Sequence, residues 1–290
     1  MGSGDGRIKK LVGEGTKYVL DKEVILEGRI VSLALNQDAN DMLVGSSTGK
    51  IYRTIPGDLS TTVISEGHIE GIEQVAFQKG RTDIFASIDQ AGVILVWDIE
   101  NLNVITRCVP GSTNKPRGRS VCIADDNTVV SGWQDGFIRC FEISKSNKAT
   151  LKWEIVNAHR GAVTCIYVDE NYILSGGEDA LVRVWSRKVR QMVTQINPHK
   201  KEITSVFPDL EKPHIIHSCS TDKIIHTFDL KTEKKVILHQ AKNGQVLGMA
   251  QRKDNELELS KRIFEIILFN FENSHLWIEY SNFILGLRCG

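Results

Sequence analysis

A histidine, a serine and an aspartate of one short segment are the residue types that a hydrolytic triad uses. In this 290-residue chain His159 is followed by Ser175 and Asp179, and such a set can activate a serine hydroxyl as a nucleophile. Enzymes of this kind expose the serine on a G-x-S-x-G elbow between a strand and a helix, and Ser175 has no such elbow. We therefore predict a structural role for these residues and no enzymatic activity.

A second segment is rich in side chains that bind zinc. It contains His214, His217, Cys219 and His226. Side chains alternate between the faces of a strand, so His214 and His217 point to opposite sides if both lie on one strand. Zinc needs convergent ligands, and we predict no metal and no other cofactor. Residues 3–6 form a turn rather than a phosphate loop, because no Gly-Lys-Thr or Gly-Lys-Ser follows them.

Composition argues against several classes of partner. Lysine plus arginine and aspartate plus glutamate both number 36, so the formal net charge is zero and no overall field draws the chain to nucleic acid or anionic lipid. The first residues lack the apolar core of a signal peptide, and no stretch approaches the roughly 20 apolar residues of a membrane helix. We predict a soluble intracellular protein without nucleic-acid, membrane or small-molecule partners. Its six cysteines form no C-x-x-C pair, which favours reduced thiols.

The elements that must position these side chains come from an internal repeat. Each copy combines a short apolar strand, a tight turn of polar and small residues, and an alternating strand. Segments 175–185 and 131–141 match without a gap. Segments 218–228 and 87–97 fall into the same frame, and segment 44–54 does so more weakly. Another apolar run precedes each copy, so the pattern predicts antiparallel sheets.

The repeat resembles the WD repeat. His159 and His199 open two copies 40 positions apart, and WD repeats recur every 40 to 45 residues with four strands in each blade. The resemblance implies an all-β, WD40-type β-propeller that is incomplete, with about five full blades and partial blades at both ends. It also implies a buried hydrogen-bonded tetrad, for which the only complete set is His159, Ser175, Asp179 and Trp185.

Three other copies keep part of this tetrad. Their matching residues are His199, Ser218 and Asp222 in the copy at 218–228, Ser131 and Asp135 in the copy at 131–141, and His68, Ser87 and Trp97 in the copy at 87–97. In the last of these Ala91 occupies the aspartate position, and we expect its tetrad to be broken. A tetrad satisfies polar groups in a sheet that is buried on both faces, where an unpaired donor costs about 1 to 3 kcal/mol.

The repeat also sets the expected domain boundaries. Residues 1–27 repeat the turn and strand in miniature and are predicted to be the remnant of a preceding blade. Residues 28–259 hold the propeller blades, with a sixth copy beginning at 245–250. Residues 260–290 lack the pattern, and we interpret them as an aberrant or truncated tail. The alternative is a divergent strand pair or a helix that packs on the open edge.

The order of the copies is similar to the second propeller of a family of WD-repeat proteins of motile axonemes. The resemblance covers residues 1–259 and rests on VGSSTGKIYR, RTDIFASIDQAGVILVWD, SGWQDGFIRCFE, VNAHRGAVTCIYVDENYILSGGEDALVRVW and STDKIIHTFDL. It implies a cytoskeletal scaffold of the cilium or flagellum that binds tubulin of the doublet microtubule and other axonemal proteins. The sequence departs from that family in lacking the first propeller and the closing blades of the second.

Two other functional classes stay open. A general WD-repeat adaptor, such as a ubiquitin-ligase substrate receptor or a trafficking scaffold, fits the same repeats because one fold hosts many functions. A propeller enzyme would need acids or metal ligands around the central channel, and the sequence contains no such repeated cluster.

One basic loop is a candidate contact for a partner. Lys115, Arg117 and Arg119 lie where an opening histidine is missing, and acidic tubulin would suit their charge. The alternative is a solvated surface loop without a partner.

Overall fold

The computed structural model of the protein consists of β-strands, turns and loops. It describes residues 4–240, apart from 15–16, 37, 66, 112–115 and 210–211, together with Val246 and Leu287–Arg288. These residues include no helix, so the described chain has no helix with the length and hydropathy of a membrane span. The expected all-β class is confirmed.

Most strands form five antiparallel sheets in which each strand pairs with the next along the chain. We call these sheets blades 1 to 5, and they follow an N-terminal hairpin. The hairpin is β1 (Arg7–Glu14) and β2 (Lys17–Ile25); blade 1 is β3 (Ile30–Leu35), β4 (Met42–Ser46), β5 (Ile51–Thr54) and β6 (Thr61–Ser65); blade 2 is β7 (Ile72–Phe77), β8 (Ile84–Asp89), β9 (Ile94–Asp98) and β10 (Asn103–Cys108); blade 3 is β11 (Gly118–Asp125), β12 (Thr128–Trp133), β13 (Ile138–Ile143) and β14 (Ala149–Ile155); blade 4 is β15 (Val163–Val168), β16 (Tyr172–Gly177), β17 (Val182–Ser186) and β18 (Met192–Ile196); blade 5 is β19 (Ile203–Pro208), β20 (Ile215–Ser220), β21 (Ile224–Asp229) and β22 (Lys234–Gln240).

The blades stand side by side and contact one another through their first strands. These contacts run in chain order from β3 to β7, β11, β15 and β19. The fourth strands are the most exposed, since β14 and β18 bury little of their length. Inner strands in contact and outer strands in solvent are the arrangement of a β-propeller, which protects its sheets by radial repetition.

One turn recurs in every blade and fixes the repeat length. The turn between the second and third strands carries a residue with positive φ, and these residues follow one another at intervals of 43 or 44 positions. Four are glycine, which adopts this conformation without steric cost. The six residues are Gly6, Gly49, Gly92, Gly136, Ala180 and Lys223. The first of them precedes β1, so the turn pattern extends to the N-terminal hairpin.

Neighbouring blades meet through pairs of one small and one large residue. A Cβ added to Gly45 of β4 would stand 2.6 Å from Ile72 Cγ2 of β7, and one added to Gly176 of β16 would stand 2.5 Å from Ile203 Cγ2 of β19. Gly132 faces Val163 in the same way. Between blades 2 and 3 the large residue lies on the preceding blade and the glycine on the following one. The strand-starting Gly118 of β11 meets Ile88 of β8, 2.4 Å from the position of a Cβ. Close sheet contact therefore requires one partner to be small.

The tail predicted at 260–290 lies outside the described residues except for one short strand. β23 (Leu287–Arg288) pairs antiparallel with β3, opposite Leu33 and Ser32. This pairing makes the sheet of blade 1 five-stranded.

The pairing of small and large residues predicts a coupled effect on stability. Gly45→Ala should destabilise the protein by about 1 to 3 kcal/mol through overpacking, and Ile72→Ala by about 2 to 5 kcal/mol through a cavity. The double variant should be more stable than the sum of the two losses by about 1 kcal/mol, because Ile72→Ala removes the clashing methyl group. Urea denaturation of the four proteins measures this coupling, and strictly additive losses would contradict it.

Candidate functional site

The histidine, serine, aspartate and tryptophan of the blade 4 tetrad form one hydrogen-bond network. Trp185 Nε1 donates to Ser175 Oγ at 2.9 Å, which leaves the serine hydroxyl to donate to His159 Nε2 at 2.8 Å. His159 Nδ1 is 2.8 Å from Asp179 Oδ1, to which it donates. The His159 side chain and Ser175 have no solvent exposure. The four side chains therefore satisfy one another's hydrogen bonds inside the blade.

Burial and ion pairing shift the pKa values of two members of this network, His159 and Asp179. Burial lowers the pKa of His159, although the hydrogen bond to Asp179 opposes that effect. Burial alone would raise the pKa of Asp179, but hydrogen bonds from His159 and Arg183 outweigh it and hold this pKa well below its usual range. The pKa values of the imidazole and the carboxyl group are therefore both shifted downward. Arg183 completes the pairing at 2.8 Å from Asp179 Oδ2.

Blade 2 contains a complete tetrad, and the expectation of a broken one is wrong. His68 Nε2 is 2.6 Å from Ser87 Oγ, and Trp97 Nε1 donates to the same oxygen at 2.8 Å. The carboxylate comes from Asp89, whose Oδ2 is 2.8 Å from His68 Nδ1. His68 and Asp89 are both buried.

The backbone places two positions near the histidine. The second residue after the serine is the last residue of the strand and shares the face of the serine, and the fourth lies in the turn that follows, from which Asp179 reaches His159. Blade 4 uses the fourth position and places Gly177 at the second, where a Cβ would stand 2.2 Å from His159 Nδ1. Blade 2 uses the second position and places Ala91 at the fourth. A pattern that fixes one aspartate position misses this exchange.

The two aspartate positions predict that the carboxylate of blade 2 can be moved from position 89 to position 91. Asp89→Gly should destabilise the protein by about 2 kcal/mol, because the buried His68 Nδ1 loses its partner. Asp89→Gly with Ala91→Asp copies blade 4 and should recover about 1 kcal/mol. Thermal and urea unfolding measure both variants, with Gln90→Ala as a neighbouring control. A loss under about 0.5 kcal/mol in the single variant would contradict this account.

Blade 5 keeps three members of the tetrad and replaces the fourth. His199 Nε2 is 3.0 Å from Ser218 Oγ, and its Nδ1 is 3.2 Å from both oxygens of Asp222. Instead of an indole, the His226 ring packs edge-on against His199 at 4.9 Å between centroids. Burial lowers the pKa of His199 to about 4, although Asp222 opposes the shift.

The lowered pKa of His199 predicts that acid destabilises the protein within a definite pH range. An unfolded histidine binds a proton below about pH 6.5, whereas the folded His199 stays neutral down to about pH 4. Its contribution to the free energy of unfolding is therefore complete above pH 6.5 and is lost as the pH falls towards 4. His199→Gln should reduce the difference in unfolding free energy between pH 7 and pH 5 by about 2 kcal/mol. Urea titrations at both pH values test this, and an unchanged difference would contradict it.

Blade 3 has no opening histidine and uses other residues. Trp133 Nε1 donates to Ser131 Oγ at 2.9 Å, although Trp133 lies only two positions after the serine. Asp135 accepts from Arg139 Nη2 at 2.7 Å, and the guanidinium lies 5.1 Å from the centre of the Trp133 ring. The sequence comparison with the tetrad missed Trp133 because it does not stand at the tryptophan position.

The histidines and cysteines of the second segment do not converge on a metal. His217 Nδ1 is 2.9 Å from Thr227 Oγ1, and its Nε2 is 3.4 Å from Asp209 Oδ2. Among the described residues no group of three potential ligands has the geometry of a metal site. Burial raises the pKa of Cys122 to about 11 and of Cys108 to about 12, so these thiols are poor nucleophiles at neutral pH.

A sequence match to the hydrolase elbow occurs elsewhere and has a different structure. Gly45 and Gly49 enclose Ser47 in a G-x-S-x-G spacing. This segment is the turn between β4 and β5, two paired strands, rather than a strand and a helix. Ser47 Oγ accepts a hydrogen bond from the backbone nitrogen of Arg29 at 3.0 Å. The serine fixes the entry into blade 1.

Two arginines of the basic loop between blades 2 and 3 form ion pairs within the protein. Arg117 Nε donates to Glu73 Oε1 at 3.0 Å, and Arg119 Nη1 is 3.7 Å from the other oxygen of Glu73. Arg119 also lies 3.8 Å from Glu178 of blade 4 and exposes 14% of its side chain. Lys115 lies outside the described residues. Arg119 therefore links three blades, whereas Arg117 exposes 43% of its side chain.

Comparison with known proteins supports the fold class inferred from the sheets. The model of the WD domain, G-beta repeat, matches residues 150–186, which contain blade 4. The crystal structure of the WD40 beta propeller domain of Doa1 superposes with a TM-score of 0.77 at 12% identity, covering 94% of this chain and 85% of that one. The fold is therefore a WD40-type β-propeller, of which the described residues contain five full blades and a partial one.

The similarity extends to one kind of WD-repeat protein. Over 234 residues the chain is 28% identical to cilia- and flagella-associated protein 52 of Bos taurus and of Homo sapiens, covering 79% of this chain and 36% of each relative. The Chlamydomonas reinhardtii protein of that name is 28% identical over 278 residues, covering 87% of this chain and 42% of the relative. The resemblance inferred from the sequence is confirmed. The chain spans about a third of the length of the mammalian relatives.

Proposed function

We propose that this chain is a non-catalytic WD-repeat scaffold of the ciliary or flagellar axoneme that binds tubulin and other proteins of the doublet microtubule. The observation that carries the proposal is the similarity to cilia- and flagella-associated protein 52, which extends over 79% of the chain in mammals and recurs in a green alga. The proposal assigns the chain to the cytoskeleton of the cilium.

The described chemistry supports binding rather than catalysis. Its histidine, serine and aspartate sets are buried and hydrogen-bonded within blades 2, 4 and 5. Exposed charged side chains lie on turns and outer strands, for example Lys145 and Lys148 in the turn between β13 and β14 and Lys152 on β14. Such surfaces suit contacts with several proteins at once.

The proposed contact to tubulin is the basic loop that contains Lys115 and Arg117 in the sequence. Arg117 exposes 43% of its side chain, and tubulin surfaces are acidic, so the contact is electrostatically complementary. Arg119 is assigned to internal pairing, because it faces Glu73 and Glu178 and is largely buried.

A general WD-repeat adaptor is the second candidate. The fold alone supports it equally, since one propeller architecture hosts many functions. The chain is also 26% identical over 187 residues to WD repeat-containing protein 90 of Mus musculus, covering 61% of this chain and 10% of that relative. An adaptor would be found with cytosolic partners instead of axonemal ones.

The decisive experiment localises the native protein in a ciliated cell. A tag on the endogenous protein should give a signal along the axoneme that persists after detergent removes the ciliary membrane and soluble matrix. The same cells should then be compared after Lys115→Glu with Arg117→Glu, which should lower the axonemal fraction about fivefold by removing roughly 1 kcal/mol of contact energy.

The matched control reverses two exposed lysines at the opposite end of blade 3. Lys145→Glu with Lys148→Glu makes the same charge change in the turn between β13 and β14 and should leave the axonemal fraction unchanged. A diffuse cytosolic signal that is absent from purified axonemes would overturn the scaffold proposal and favour the adaptor. Equal losses in both charge variants would overturn the contact assigned to the basic loop.

A further inference from the structure

We propose that two copies of this chain associate by pairing the outer strand β18 of blade 4 with the outer strand β6 of blade 1. The contact joins two different surfaces, so β18 of one copy meets β6 of the next and each copy can bind two others. It uses neither the basic loop nor a tetrad. The contact and the proposed axonemal role can therefore fail independently of each other.

Both strands lie at an open edge of their sheet. The strand order of blade 4 ends with β18, which pairs with β17, and that of blade 1 ends with β6, which pairs with β5. Among the described strands neither has a neighbour on its other side, where backbone N–H and C=O groups face away from the sheet. An edge of this kind can pair with a strand of another chain through main-chain hydrogen bonds.

The sequences of β6 and β18 lack the charges that protect the other outer strands. Of the described outer strands of blades 1 to 5, only these two contain no charged residue; they read Thr-Thr-Val-Ile-Ser and Met-Val-Thr-Gln-Ile. By contrast, β10 contains Arg107, β14 contains Lys152 and Glu154, and β22 begins with Lys234 and Lys235. Because charged side chains on an edge oppose the addition of a strand, β6 and β18 are the edges most open to pairing.

The sequences around these two strands have opposite charge. Residues 180–201, which contain β18, include six lysines and arginines and no aspartate or glutamate. Residues 54–78, which contain β6, include four aspartates and glutamates and no lysine or arginine. Charge complementarity therefore favours β18 against β6, whereas two β18 edges or two β6 edges would repel each other. The partner with the right charge is thus a second copy of the same chain.

The opposite charges stand at both ends of the two strands. Exposed cations precede β18 at Lys188 and Arg190 and follow it at Lys200. Exposed acids precede β6 at Asp58 and follow it at Glu70. Whether the two strands run parallel or antiparallel, pairing them places an acid beside a cation at each end.

Exposed apolar side chains on both edges favour the same pairing. On β18, Met192 and Val193 expose 50% and 55% of their surface, and on β6, Val63 exposes 51%. Pairing of the two strands makes these side chains cross-strand neighbours, and such apolar pairs stabilise a sheet. The edges therefore match in their uncharged middle as well as at their charged ends.

The contact is small, so the association should be weak and reversible. Each strand has five residues, and two paired strands of this length bury less than the roughly 1,200 Å² of a stable interface. Salt should weaken the association because the charges are exposed. The terminal copies keep one free edge each, so the mass should rise beyond that of a dimer as the concentration increases.

Sedimentation equilibrium of the full-length chain at low ionic strength tests the pairing. The mass of the parent chain should increase with concentration. Lys188→Glu with Arg190→Glu reverses the charge beside β18, and Asp58→Lys with Glu70→Lys reverses it beside β6. Each double variant should weaken the association at least about tenfold, because like charges then meet at the ends of the strands. Circular dichroism should show the fold of the parent in both.

The matched control makes the first charge change on a neighbouring blade. Lys145→Glu with Lys148→Glu alters the turn before β14, which contains the left-handed residue Asn147 where the turn before β18 contains Arg190. This control should associate like the parent. An equal loss in the control and in the β18 variant would mean that net charge alone governs association, and the proposal would be wrong.

A mixture of the two charge variants separates specific pairing from general repulsion. Each variant is repelled by its own copies, but the unaltered β6 edge of one matches the unaltered β18 edge of the other, and the two reversed edges also match. Equal amounts of both should therefore associate about as strongly as the parent. A mixture that stays monomeric, or a single variant that associates like the parent, would contradict the assignment of these edges.

Hydrogen exchange of the unaltered chain shows whether the strands themselves pair. The amides of β6 and β18 should exchange more slowly at high protein concentration than at low concentration, and those of β14 should be unchanged. Association without any slowing in β6 and β18 would exclude strand pairing. A parent chain that remains monomeric up to about 1 mM would exclude the contact altogether.

Discussion

The structure depends on the close approach of each sheet to the first strand of the next one. Because blades 2, 3 and 4 each have a neighbouring blade on both sides, their inner strands have no room for two large side chains at the same point. The chain meets this limit with pairs of one small and one large residue, Gly45 with Ile72 and Gly176 with Ile203, and it reverses the pair at Ile88 and Gly118. The tight contact buries the middle of each blade, where a polar group without a hydrogen-bond partner is destabilising.

The tetrads follow from that burial. A turn histidine, a strand serine and an aspartate satisfy one another, and a tryptophan donates the last hydrogen bond in blades 2 and 4. The same residue types would serve hydrolysis in an open cleft. Here the histidine pKa is lowered by burial in blades 4 and 5, and the hydroxyl is out of reach of a substrate. The environment of these groups, rather than their identity, decides that they hold the fold together.

The sequence predicts the repeat, the antiparallel sheets and the tetrad of blade 4 because those depend on local pattern and spacing. It does not predict the tetrad of blade 2. There Asp89, two residues after the serine, bonds to His68, whereas the usual spacing puts the aspartate four residues after the serine. It also misses Trp133, which bonds to a serine only two positions away. The internal role of Arg119 depends on Glu73 and Glu178, which come from two other blades, and no local pattern indicates such a three-blade contact.

The two aspartate positions affect how blades are compared. In blade 4 a Cβ at the second position would stand 2.2 Å from His159 Nδ1, whereas in blade 2 Asp89 occupies that position and pairs with His68. The two blades therefore differ at the residue that best identifies them, although each pairs its histidine with a carboxylate. A comparison of blades that scores the fourth position alone overstates the difference between their interiors.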